Sequence, residues 1–298
     1  MPTTIPRRDL FRAAPALALG AVPLASHAAV AEPTGARLRP ALCAYSYRDE
    51  LAKKTLSYED LIRIAAENGV DGLDTTVYWM PAPPTNDFLY SLKRTAYKNA
   101  IEIYSIAIRT DMCRATKAEQ DGEVAKVREW VDTAEKLGAV HIRVFGGAVP
   151  KGATEDQAAG WASEVLKRSA EYAAKKGVIL GIENHGGITD RAATIVRVVK
   201  AADSPWVGIN LDTGNFRSEV FPQIAMCIPY AVNVQVKVEM IQEDGKRGPG
   251  DWNRVARMLA DAGYKGYLSL EYEDKNAPET VPPLLRKLAA VCRSGGRG

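Results

Sequence analysis

From about residue 38 onward the chain repeats one unit eight times: a short apolar segment, a loop, and an amphipathic stretch that closes on Gly or Asn. The strand segments are PALCAYSY (40–47), GVDGLDTTVY (69–78), IEIYSIAIR (101–109) and HIRVFGG (141–147). They continue with GVILGIENH (177–185), VGINLDTGN (207–215), AVNVQVKVE (231–239) and GYLSLEYE (266–273). Between them, YEDLIRIAAENG, EVAKVREWVDTAEKLG, WASEVLKRSAEYAAKKG and WNRVARMLADAGYKG place apolar residues at helical spacing. Gly69, Gly138, Gly177 and Gly263 fall where helix C-caps are expected. Strands alternating with helices imply a parallel sheet. Eight such units in about 265 residues match a closed (β/α)8 barrel, the TIM barrel, which typically takes about 250. No Pro/Gly-rich linker divides the chain, so the α/β barrel is expected to be a single domain. A doubly wound open sheet is the alternative. Against it, GIENHGG is not a GxGxxG fingerprint, and no other loop is built to cradle phosphate.

Residues 1–31 stand apart from this pattern. Arg7 and Arg8 precede Asp-Leu-Phe-Arg, a short apolar stretch, and small residues around Ala28 and Ala31. This resembles a twin-arginine signal peptide, removed after export, and leaves 32–298 as the mature barrel. The expected location is periplasmic or secreted. No later stretch is long and apolar enough to cross a bilayer, so no stable membrane association is expected. The composition, 46% apolar and 25% charged, suits a globular protein with a full core. The formal charge of +3 falls to about +1 without the leader, with no long basic run, which argues against nucleic acid as a partner. Cys43, Cys113, Cys227 and Cys292 are widely spaced and include no CxxC, leaving one disulfide or buried free thiols as the two readings. A homo-oligomer is compatible with the sequence.

Strands of a parallel sheet covered on both faces should be apolar throughout, and several here are not. Asn233, Gln235 and Lys237 alternate with valines. Ser269, Glu271 and Glu273 alternate with Leu268, Leu270 and Tyr272, while Asn210 with Asp212 and Asp74 with Thr76 repeat the pattern. A period of two puts these polar residues on one face, which in a barrel points into the lumen. Carboxylates there need a counter-charge. Glu183, Asp212 and Glu271 are expected near the C-terminal ends of the fifth, sixth and eighth strands, where such barrels place their sites. Converging carboxylates repel strongly unless a cation holds them. One divalent ion bound by Glu183, Asp212, Gln235 and Glu271 would account for all four. Oxygen ligands favour Mn²⁺, with Mg²⁺ or Co²⁺ as alternatives.

The motifs IENHGG, LDTGN, VQVKVE and GYLSLEYE, in that order on successive strands, resemble the xylose isomerase-like sugar isomerase/epimerase superfamily from about residue 40 to the end. The resemblance implies the same metal quartet: Glu183, Asp212, Gln235 and Glu271. It departs at Gln235, where most relatives have His. It further implies a small carbohydrate substrate and an enediolate mechanism. Glu183 and Glu271 would act as base and conjugate acid, His185 would bond a substrate hydroxyl or shuttle a proton, and Lys237 would add positive charge beside the oxyanion.

Each residue has a plainer reading. Glu183 and His185 could cap a helix, Asp212 could begin a turn, and Gln235 could be a hydrogen-bonded core amide with no metal. Lys237 could serve only to neutralise a carboxylate, and Glu273 could pair with a base. His141 and Arg143 face inward on the fourth strand, and Trp79 and Phe145 could line a sugar-stacking wall or simply pack in the core. At the level of function, the leading expectation is a metal-dependent isomerase or epimerase of an unphosphorylated sugar or keto-sugar. A lyase or dehydratase acting on a keto-sugar, keto-glycoside or cyclitol comes second, and a non-catalytic periplasmic sugar-binding barrel third. The superfamily's endonuclease branch needs several histidines, and only His141 and His185 follow the leader.

Overall fold

The computed structural model describes residues 35–297. The leader expected over residues 1–31 lies outside them. Eight parallel strands close into a barrel: β1 (Arg37–Cys43), β2 (Gly72–Thr76), β3 (Glu102–Ala107), β4 (His141–Phe145), β5 (Ile179–Glu183), β6 (Val207–Asp212), β7 (Ala231–Lys237) and β10 (Lys265–Glu271). Each lies beside the strand before it in the barrel series, and β1 pairs with β10 to complete the ring. Two short strands, β8 (Glu239–Ile241) and β9 (Arg247–Pro249), form a separate antiparallel hairpin after β7. Among the described residues no helix is long and apolar enough to cross a membrane.

Local chemistry sets the helix starts. Ser57 and Asp60 form a capping box at α2 (Tyr58–Glu67), as do Thr116 and Glu119 at α4 (Lys117–Leu137). Thr154 and Gln157 do the same at α5 (Glu155–Lys175). Gly138 takes the left-handed conformation that ends α4. The strand faces turned away from the lumen pack against the helices and build one apolar core, with Leu42, Ile106, Val144, Ile182, Leu211, Val236 and Leu270 fully buried. All four cysteines are buried and free, which settles their two readings in favour of thiols.

The expected strands are each present but end earlier than the sequence segments do. Residues 44–47, read as the end of the first strand, form a 3-10 turn. There Ser46 Oγ donates to the Leu270 carbonyl (3.0 Å) and accepts from the Tyr272 amide (2.9 Å). Elsewhere β5, β6 and β10 stop at Glu183, Asp212 and Glu271, so the carboxylates are the last residues of their strands.

The lumen is filled in layers. At the N-terminal end Tyr104 and Tyr267 stack with ring centroids 3.7 Å apart, beneath the Arg39 guanidinium. Above them a chain of hydrogen bonds crosses the barrel. Tyr104 Oη donates to Asn233 Oδ1 (3.1 Å), Asn233 Nδ2 to Asn210 Oδ1 (2.7 Å), and Asn210 Nδ2 to Gln235 Oε1 (2.6 Å). Gln235 Nε2 in turn meets Cys43 Sγ at 3.7 Å. On β4, His141 Nδ1 lies 2.8 Å from Ser105 Oγ. Gly181 opposite it leaves the space the imidazole needs, since a β-carbon there would run into Nε2.

Burial, reinforced by Arg143, lowers His141 from 6.5 to about 3. In the pH range between those values the unfolded chain takes up a proton that the folded barrel refuses, so stability falls as pH falls from about 6.5 towards 3. Urea unfolding at pH 6.5 and 4.5 is expected to show His141→Asn losing about 2–3 kcal/mol less than the wild type over that interval. Equal losses would show that His141 is not the acid-sensitive group.

Candidate active site

The C-terminal mouth of the barrel collects charge from four strands. Glu183 ends β5, Asp212 ends β6, Lys237 ends β7 and Glu271 ends β10, and all four are buried. The expectation that Glu183, Asp212 and Glu271 share one face of the barrel holds. Their counter-charge comes from the chain itself. The Lys237 ammonium lies 2.8 Å from Glu271 Oε2, 3.0 Å from Glu273 Oε2 and 3.4 Å from Asp212 Oδ2. Arg143 Nε on β4 lies 3.0 Å from Glu183 Oε2, with both side chains almost wholly enclosed. Thus the plainer readings of Lys237 and Glu273, as neutraliser and as its partner, are realised.

Gln235 lies two residues before Lys237 on the same face, about 6–7 Å deeper in the barrel, in register with Asp212 on β6. Its amide oxygen is taken by Asn210 and its N–H side turns to Cys43. It thus joins the amide chain of the lumen while standing beside Asp212 on the neighbouring strand. Among the described residues no three His, Cys, Asp or Glu side chains are grouped to hold a metal ion. With an ammonium already among the carboxylates and the fourth donor engaged elsewhere, this arrangement does not fit the divalent ion that four ligands were expected to bind.

The environment pushes the carboxylates apart in proton affinity. Burial drives Glu183 well above the usual carboxylate range; Arg143 opposes this, and the charges of Asp212 and Glu271 add to it. Burial likewise raises Asp212 to about 7, against the pull of Lys237. For Glu271 burial also acts upward, but Lys237 outweighs it, and with help from Arg143 and Asp212 the group ends below its ordinary value. Two carboxyls set in opposite directions beside one cleft can serve as an acid–base pair.

That cleft, about 170 Å³, is lined by Glu183, Glu271, Glu273, Lys237, Arg143 and His185, with Tyr45, Tyr78, Phe145 and Arg109 around them. His185 is exposed, and its ring sits 4.2 Å from that of Phe145. Burial and the nearby Arg143 lower it, so it presents a neutral imidazole to the cleft. Phe145 forms part of the cleft wall. Trp79 does not line the cleft: it backs Tyr45 and Tyr78 at 5.9 and 5.8 Å between centroids. Neither tyrosine is marked by a motif, because the first follows β1 in the 3-10 turn and the second follows β2 in another.

Asn184 answers why a polar residue sits between Glu183 and His185. Its Nδ2 donates to the Asp212 carbonyl and its Oδ1 accepts from the Asp212 amide, both at 2.8 Å, clamping the ends of β5 and β6 together. Asn215 Nδ2 reaches Glu183 Oε1 at 3.2 Å. Both residues stand inside the quoted motifs, yet nothing in their spacing distinguishes a clamp from a turn.

A closed parallel barrel with its charged cleft at the C-terminal mouth defines a (β/α)8 protein of the enzyme-like kind. Residues 62–293 match the family model of the xylose isomerase-like TIM barrel, and the chain belongs to that family. Among solved structures, it resembles the D-psicose 3-epimerase of Clostridium cellulolyticum H10, determined with D-tagatose. The two are 17% identical over 87% of this chain and 98% of that one, with a TM-score of 0.68. It also resembles a xylose isomerase-like TIM barrel protein of Mycobacterium smegmatis in complex with magnesium (16% identity, 86% and 97% covered, TM-score 0.68). A third is the probable 3-DHS dehydratase of petrobactin synthesis from Bacillus anthracis (18% identity, 86% and 98% covered, TM-score 0.63). No curated protein matches the sequence.

Removing one partner of a buried ion pair strands the other charge. Arg143→Met is expected to lower unfolding free energy by about 3–5 kcal/mol in urea titrations. Adding Glu183→Gln to the same chain should return much of that loss. A double variant no more stable than Arg143→Met alone would mean that the pair is not what Arg143 stabilises.

Proposed function

We propose that this protein is an isomerase or epimerase of a small, unphosphorylated sugar or keto-sugar, moving a proton at the carbon beside a carbonyl. The observation that carries the reading is the pair Glu183 and Glu271, both lining one cleft and pushed in opposite directions in proton affinity. Glu271, held ionised by Lys237, takes the proton as general base. Glu183, whose proton affinity burial raises, returns one as general acid. The Lys237 ammonium and the Arg143 guanidinium offer positive charge to the oxyanion that forms when the proton leaves. His185, neutral and facing the cleft, hydrogen-bonds a substrate hydroxyl, while Tyr45, Tyr78 and Phe145 provide ring faces for the sugar's C–H surface. The family membership and the likeness to an epimerase solved with D-tagatose support a sugar as substrate. Export by the twin-arginine route, if the leader acts as its motif suggests, would bring the protein to unphosphorylated sugars.

A second reading is a lyase or dehydratase, in which the same proton abstraction is followed by loss of a neighbouring substituent. It is favoured by an adjoining cleft of about 230 Å³ between the β8–β9 hairpin and the end of β10. This second cleft shares Lys237, Glu271 and Glu273 with the first and continues to Arg247 and Tyr272. It offers room for a group attached to the sugar.

Incubation with ketoses, D-tagatose among them, in D₂O is expected to place deuterium at the carbon next to the carbonyl. Glu271→Gln should slow that exchange by about 10²–10⁴-fold. Retention of all substituents selects isomerase or epimerase, and loss of one selects lyase. In the wild type, kcat/KM should rise with pH as Glu271 loses its proton and fall again as Glu183 loses its own. Exchange unaffected by Glu271→Gln would remove the base from this mechanism.

A further inference from the structure

Lys237 is held as a built part of the site. Its backbone N–H donates to Thr213 Oγ1 (3.1 Å) and its carbonyl accepts from Trp252 Nε1 (2.7 Å). Its stem lies against the bare Cα of Gly214, where a β-carbon would come within 2.7 Å of Lys237 Cβ. Gly214 in turn donates its N–H to Asp212 Oδ1 (2.8 Å), so the lysine stem and a carboxylate it neutralises are positioned by one residue. The side chain is only 9% exposed, and its ammonium lies within 3.4 Å of three carboxylates from two different strand ends. A dication among those carboxylates would meet a like charge at contact distance, with Arg143 on the neighbouring Glu183. Gln235, the remaining oxygen donor on the strand, already accepts from Asn210.

We propose that Lys237 is the resident cation of this site: its ammonium takes the position a divalent ion would fill among Asp212, Glu271 and Glu273, and the chain binds no divalent ion there. The charge balance is then made by covalently attached groups, which neither dissociate nor respond to chelators. This concerns what neutralises the site, so it stands or falls independently of the reaction proposed above.

The test reads metal content and stability rather than activity. Purified protein equilibrated with Mn²⁺ or Mg²⁺ and then desalted is expected to carry far less than one equivalent of metal by plasma mass spectrometry. Its unfolding midpoint should be the same in Mn²⁺ as in EDTA. Lys237→Met keeps the stem and removes the charge. It is expected to melt lower than the wild type in EDTA and to recover several degrees in Mn²⁺, because the ion then finds carboxylates without a partner. A full equivalent of metal held by the wild type, or a Mn²⁺-dependent rise in its midpoint equal to the variant's, overturns the proposal. So does a folded Lys237→Met that ignores Mn²⁺. Should the methionine variant not fold, Lys237→Arg supplies the contrast. With the charge kept it should remain as indifferent to Mn²⁺ as the wild type, and uptake of a manganese equivalent would count against the inference.

Discussion

The mouth of this barrel depends on how buried negative charge is balanced. Glu183, Asp212 and Glu271 sit where water is nearly excluded, and carboxylates so placed repel one another and lose hydration together. Arg143 and Lys237 rise from β4 and β7 to meet them, one forming a pair with Glu183 and the other bridging Asp212, Glu271 and Glu273. Two cations among four carboxylates do not neutralise them all. Burial raises the proton affinity of Glu183 and Asp212, while Lys237 holds that of Glu271 below its ordinary value. The uneven proton affinities needed for acid–base work thus follow from the same imbalance that the fold has to tolerate.

Beneath that layer the barrel solves a different problem. A lumen lined by Asn210, Asn233 and Gln235 would be costly if any amide were left alone. The run of donors and acceptors from Tyr104 through both asparagines to Gln235 gives each amide a partner on a neighbouring strand. It also separates the charged mouth from the stacked tyrosines at the base. The site therefore rests on a rigid polar floor, which suits groups that must hold position within a fraction of an ångström.

Much of this was legible in the residues. Period-two alternation in NVQVKVE and YLSLEYE identified the inward faces correctly, and the eight-fold recurrence identified the closed barrel. Strand ends extend too far in the sequence reading because polar residues such as His185 and Glu273 continue the alternation for a step after ladder pairing has stopped. Alternation places Gln235 on the inward face but does not show that its amide bonds Asn210, because a hydrogen-bond partner on another strand leaves no mark in the spacing. Lys237 was noticed but given a supporting role, since a sequence shows neither where an ammonium ends after four rotatable bonds nor how many carboxylates it meets. Arg143 was seen to face inward without its partner, and Tyr45 and Tyr78 were missed because both lie in short turns just beyond their strands.

A lysine at the centre of the site changes what the substrate encounters. The ammonium carries one charge where an ion would carry two, and it is already committed to Asp212, Glu271 and Glu273 through donors fixed in direction. It would therefore recognise a substrate oxygen by exchanging one of those hydrogen bonds, with little loss of total bonding if the new acceptor carries partial negative charge. Giving up the contact with Glu271 would do two things together. It would turn the ammonium towards the carbonyl oxygen and raise the basicity of the carboxylate it leaves, bringing the base nearer to the pH at which it must act. Binding and activation of the base would then be one event, carried by the side chain that also makes the buried cluster tolerable to the folded barrel.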